Sequence, residues 1–138
     1  MHMEAKHFSP NPPAAEEAIG ELLRATNAKP LPSEFIEYLR RANGGEGFLG
    51  DRYAVLWRAE ELLKFNQDYQ TTDLAPELFL IGSNGGGEAY AFDQSSVSST
   101  VFSVPFIGME YQYIVKIADC FSSFVSSAMA PPGDGVKR

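Results

Sequence analysis

The sequence predicts a single α+β domain, with a central, mainly antiparallel, twisted sheet and helices packed on it. Two observations carry this expectation. Between Leu78 and Phe106, three short runs rich in aromatic and β-branched residues follow one another through clusters of Gly, Asn, Asp and Ser, which favours antiparallel neighbours joined by short turns. Amphipathic helical spacings collect before and after those runs, so the helices have one sheet to cover. The length of 138 residues suits one core, and 44% hydrophobic with 21% charged residues is the balance of a chain that folds.

In order, residues 1–13, with Pro10, Pro12 and Pro13, read as a flexible arm, residues 14–129 as the domain and residues 130–138 as a flexible tail. From Ala14 to Asn27, Ala15, Ile19, Leu22 and Leu23 recur at helical spacing. Phe35, Ile36, Leu39 and Ala42 repeat the pattern, and "NGG" at Asn43–Gly45 stops that helix. "RYAVLW" (52–57) reads as a strand and "RAEELLKFNQDY" (58–69) as a helix with Leu62 and Leu63 inward. "LFLIG", "EAYAFD" and "TVFSVPF" are strands, the last with Phe102, Val104 and Phe106 on one face and Pro105 at a strand end or sheet edge. "YQYIVKI" adds a short strand. A closing helix from Ala118 to about Ala128 aligns Phe121, Phe124, Val125 and Ala128.

Few patterns here carry chemistry. The glycine run in "IGSNGGGEAYAFD" (81–93) leads into a strand pattern with no Lys-Ser/Thr after it, so it reads as a hairpin turn rather than a phosphate cradle. Glu88 and Asp93 are an odd number of residues apart, which sends them to opposite faces of a regular strand and argues against an acid–base pair. Asp93 before "QSS" suits a strand end whose carboxylate accepts from the next amides. His2 and His7 lie in the arm, so no metal site is expected and no histidine stands near Cys120, which reads as a packing residue. No catalytic residue, cofactor or metal is assigned.

Eleven basic against eighteen acidic residues, a net charge of −7, disfavour nucleic acid as a direct partner. Between Lys64 and Lys116 there is no Lys or Arg, while Asp68, Asp73, Glu77, Glu88, Asp93 and Glu110 all lie there. That stretch is either a solubility surface or a docking face for a basic protein. With no targeting or membrane-spanning pattern, the expected location is cytoplasmic, as a monomer or weak dimer.

"LPSEFIEYLRRANGG", a strand ending in "LW" with "RAEELLKFN", "LFLIGSNGGGEAYAFD", "VFSVPF" and "ADCFSSFV" together resemble the SUKH superfamily, which includes the fungal Smi and Knr cell-wall regulators and many bacterial relatives. The resemblance runs from about Leu31 to Val125. It implies an α+β fold, no enzymatic activity, and a bacterial role as an immunity protein that binds and neutralises a cognate toxin, often nuclease-type and basic. The six acids named above would form the contact surface. Trp57, Gly82, Asn84, Gly85, Gly86, Gly87 and Asp93, the shared motif positions, are expected to serve the fold. A regulatory scaffold with an endogenous partner ranks second, and a small-ligand module at the mouth of the glycine hairpin third.

Overall fold

The apolar runs pair in the order in which they are written. A computed structural model describes residues 7–96 and 98–126. It contains one seven-stranded antiparallel sheet in the order β1 (Ser9–Pro10), β2 (Gly45–Leu49), β3 (Arg52–Leu56), β4 (Leu78–Ser83), β5 (Glu88–Asp93), β6 (Val101–Pro105) and β7 (Val115–Ala118). The sheet curls into a half-barrel, and five helices pack on it: α1 (Glu16–Ala25), α2 (Ser33–Arg41), α3 (Ala59–Asp68), α4 (Thr71–Leu74) and α5 (Phe121–Ser126).

Both faces of β5 are buried, and its large aromatic side chains lie on one of them. Tyr90 and Phe92 share that side, because alternate residues of a strand face the same way. Phe35 of α2 and Phe121 of α5 meet edge to face at 5.2 Å, Phe35 meets Phe92 at 5.2 Å, and Tyr90 meets Phe124 at 5.1 Å. Edge-to-face contact sets positive ring edges on negative faces, so these rings fix α2 and α5 in orientation as well as burying area. Glu34 ties the two helices at the surface: its Oε1 accepts from the Ser122 backbone N–H at 2.6 Å and the Ser122 hydroxyl at 2.7 Å.

On its other edge, β4 changes partners. It pairs with β3 only through Ser83 and Gly82, opposite Val55 and Leu56, after which the Trp57 N–H donates to the Ile81 carbonyl at 3.0 Å. β3 then leaves the sheet. A register shift between Leu80 and Gly82 marks the same point of the β4–β5 ladder. Asn66 of α3 takes over the exposed edge: its Oδ1 accepts from the Leu80 N–H at 2.8 Å, and its Nδ2 donates to the carbonyls of Leu80 and Leu62, each at 2.9 Å. One amide side chain replaces a missing strand residue.

Several boundaries differ from the expectation. Residues 7–13 are not a free arm. Phe8 is buried, Ser9–Pro10 pairs with β2, and the Asn11 N–H donates to the Gly44 carbonyl at 3.1 Å. Glycine makes this possible: at Gly47, with φ +141°, a Cβ would overlap the backbone of His7 and Phe8. Strand β2 itself, "GEGFL", is too glycine-rich to show a strand pattern. In α1, Ile19 and Leu22 are buried, but Ala15 and Leu23 are exposed. α4 was not anticipated. Residues 111–113 form a 3-10 turn, so the last strand begins only at Val115, and Ala118 belongs to it rather than to α5. Met1–Lys6 with His2, Ala128 and the 130–138 tail lie outside the described residues.

Asn66→Ala removes three hydrogen bonds and leaves the Leu80 N–H unpaired, so urea unfolding should show a loss of about 2 to 3 kcal/mol. Burial raises the Glu34 pKa, but hydrogen bonds from Ser122 and Ser99 outweigh it and hold the group below 4.5. Because the folded value is depressed, its stabilisation is complete above the unfolded value and is lost as pH falls through the folded one. Urea midpoints taken from neutral pH downward should therefore fall less steeply on the acid side in Glu34→Gln than in the parent.

Candidate functional site

The Ser83–Glu88 connection is a tied turn. The Asn84 N–H donates to the Glu88 carbonyl at 2.9 Å, and Asn84 Oδ1 accepts from the N–H groups of Gly86 at 2.8 Å and Glu88 at 3.2 Å. Ser83 Oγ accepts from the Gly85 N–H at 3.1 Å. The glycines are not equivalent. Gly85 has φ +84° and lies against the Tyr53 ring, and a Cβ on Gly82 would overlap the Val55 carbonyl. A Cβ on Gly86 would come no closer than 3.5 Å to Asn84 Oδ1, and one on Gly87 would meet nothing within 4 Å. Turn geometry accounts for Gly85 and close strand approach for Gly82. Gly86 and Gly87 leave bare backbone facing solvent.

That backbone walls a groove of about 530 Å³. Its floor is aromatic. Trp57 stands where β3 turns into α3, and Phe65 and Tyr69, four residues apart, point the same way from the end of α3. Phe106 follows β6, fixed by its N–H donating to the Gly87 carbonyl at 3.0 Å. The rings of Trp57 and Tyr69 are 6.3 Å apart and 6° from parallel, and Tyr69 and Phe106 are 4.4 Å apart at 29°. Phe65 meets Trp57 edge-on at 4.8 Å. Trp57 is 7% exposed and Tyr69 40%, while Ile107 on the rim is 92% exposed. The floor is thus a buried tryptophan beneath partly exposed apolar side chains. An isoleucine held almost wholly in water beside such a floor has no purpose in the monomer's packing.

The six acids do not form one surface. Glu88 pairs with Pro105 at the hairpin end of the sheet, whereas Asp93 pairs with Leu78 at the opposite end, about 17 Å away along β5. Their side chains also point to opposite faces, as their odd spacing requires. Glu88 shares the face of Tyr90 and Phe92 and does not itself line the groove, which beside it is walled by Pro105, Phe106 and Ile107. Polar groups therefore do not converge beside Glu88, as the small-ligand reading would need. Asp93 Oδ1 accepts from the Ser95 N–H at 2.9 Å and the Ser95 hydroxyl at 2.6 Å. Glu77 is held near it, its carbonyl accepting from the Gln94 N–H at 2.7 Å. Asp73, on α4, rims a second groove of about 510 Å³ that runs past the start of β4. Asp68, at the end of α3, is paired with Lys64 at 2.9 Å. Glu110 is exposed three residues beyond Ile107.

The groove escaped sequence reasoning because its members come from four separate segments. One signal was available: Ile107 follows an apolar strand and precedes a Gly-Met-Glu turn, so nothing in the pattern buries it. Among the described residues no group of three or more His, Cys, Asp or Glu side chains could hold a metal, and no helix is long and apolar enough to cross a membrane. His7 lies beside Gly47 of β2, and Cys120 Sγ contacts Ser123 Oγ at 3.6 Å.

The model of the SMI1 / KNR4 family (SUKH-1) matches residues 13–127. No curated protein matches the chain.

Floor and rim should separate in mutagenesis. Trp57→Ala empties a buried site and should cost about 3 to 5 kcal/mol in chemical denaturation. Ile107→Ser should leave the unfolding midpoint within about 0.5 kcal/mol of the parent, since the side chain is already in water.

Proposed function

The chain belongs to the SMI1 / KNR4 family (SUKH-1), a family associated with immunity proteins of polymorphic toxin systems, and from that premise we propose that it is a non-catalytic module that binds and neutralises a cognate toxin domain. The toxin is basic and nuclease-type, and it docks on the hairpin end of the sheet. The observation that carries this reading is the aromatic groove: apart from Trp57, its lining comes entirely from the stretch between Lys64 and Lys116, which has no Lys or Arg.

Chemically, the two features divide the work. A nuclease-type domain must hold phosphate and is therefore rich in Lys and Arg. Opposite fields raise the encounter rate with such a domain, and the desolvated aromatic floor sets the lifetime of the complex. Glu110, at the groove end, and Glu88, on the adjoining face, supply the near field, while Asp73, Glu77 and Asp93 act from the far end of the sheet. Over such distances their contribution is screened at physiological salt.

The test begins with affinity capture from the source cells at low and moderate salt, followed by co-expression of the captured domain with this chain. Protection of the host supports the reading, whereas an endogenous housekeeping partner with no protection replaces it with a regulatory scaffold. With the toxin in hand, Ile107→Asp combined with Tyr69→Ala should weaken binding at least about 100-fold, mostly through faster dissociation. Glu88→Lys with Glu110→Lys should instead slow association several-fold and flatten its salt dependence, as stopped-flow measurements at two ionic strengths would report.

A further inference from the structure

We propose that the groove is a receptor for one arginine side chain of the partner, its guanidinium stacked on the outward face of the Tyr69–Phe106 ring pair. This rests on the reading of the chain as a toxin-binding module and names the chemistry of its central contact. The rings of Trp57, Tyr69 and Phe106 lie within 29° of parallel, so they present a layered platform with a common normal. Aromatic faces carry negative potential, which a cation over the ring exploits.

The surroundings add the same sign. Glu110 stands just beyond the groove and Glu88 on the adjoining face, and the basic side chains nearest in sequence are each paired with an acid, Lys64 with Asp68 at 2.9 Å and Arg58 with Glu61 at 3.9 Å. An apolar guest would use the area of the groove and none of this field. A lysine would use the field but would lose a tightly hydrated ammonium shell on entering an apolar site. Arginine uses both: its aliphatic stem covers the apolar wall of Pro105 and Ile107, and its weakly hydrated planar guanidinium stacks on the platform within reach of the negative field. Gly86 and Gly87, which no packing requirement holds as glycine, leave the mouth open to a long side chain. An arginine that holds phosphate in a nuclease-type partner would lose that role when captured here.

Trp57 is the only tryptophan, so its indole N–H gives a single NMR signal from a residue that lines the groove. The full chain is titrated into the millimolar range with two capped tripeptides, Gly-Arg-Gly and Gly-norleucine-Gly, following the Trp57 indole and the Gly85, Gly86 and Gly87 amides. The arginine peptide should produce saturable shifts at about three- to ten-fold lower concentration than the norleucine peptide, and the advantage should shrink in high salt. Tyr69→Leu, which keeps apolar cover on a 40%-exposed position but removes the ring, should abolish the preference while leaving norleucine binding in place. Equal or tighter binding of norleucine, or no saturable shift with either peptide, overturns the proposal. If norleucine wins while a captured toxin is still neutralised through the groove, the arginine receptor falls and the immunity reading stands. If the arginine peptide is preferred but no toxin is neutralised, the immunity reading falls and the receptor chemistry stands.

Discussion

The handover at the β4 edge is the constraint on which the rest of the architecture depends. A strand that loses its neighbour in mid-length leaves backbone donors and acceptors that must be paired or remain wet. Here β3 departs after Trp57, and the side chain of Asn66 closes Leu80 on both its N–H and its carbonyl. That pairing holds α3 against the sheet edge at a defined height. The same geometry puts Trp57 under Phe65 and Tyr69, since the residue that leaves the sheet and the helix that replaces it are joined by Arg58 alone. The Glu61 carboxylate accepts from the Arg58 N–H at 3.0 Å, which secures the start of α3 just beyond the departure point. Buried Asn43 acts on the same turn, its Oδ1 accepting from the Ala59 N–H at 2.7 Å and its Nδ2 donating to Glu60 at 3.0 Å.

From that fixed edge the two sides of the domain take different roles. The side carrying Tyr90 and Phe92 is closed by α2 and α5 through edge-to-face rings. The hairpin end is built with less cover. Its aromatic floor is supported from below by a tryptophan in the core, while the upper surface is left to Tyr69, Phe106 and Ile107.

Much of the element order was legible in the sequence, for reasons visible at particular residues. Phe35, Ile36, Leu39 and Ala42 are all buried as their spacing implies, and Phe121 and Phe124 likewise. Asn84 and Gly85 make the turn that an Asn-Gly pair between two apolar runs predicts. Legibility failed where a strand owes its existence to the absence of side chains. Gly45 and Gly47 show no alternation, yet they admit residues 7–10 against the sheet by having no Cβ. It failed also at Asn66, a polar residue within a helical pattern, whose partner is backbone fourteen residues away.

By itself the sequence determined the α+β class, the hairpin, the helix stripes and a long stretch without positive charge, because each of these is written in local periodicity, turn chemistry or residue counts. Only the tertiary structure decided where that charge sits and what lies beside it. A strand separates Glu88 from Asp93 in distance and in face, and four distant segments meet to form one groove, through pairings that no local pattern encodes.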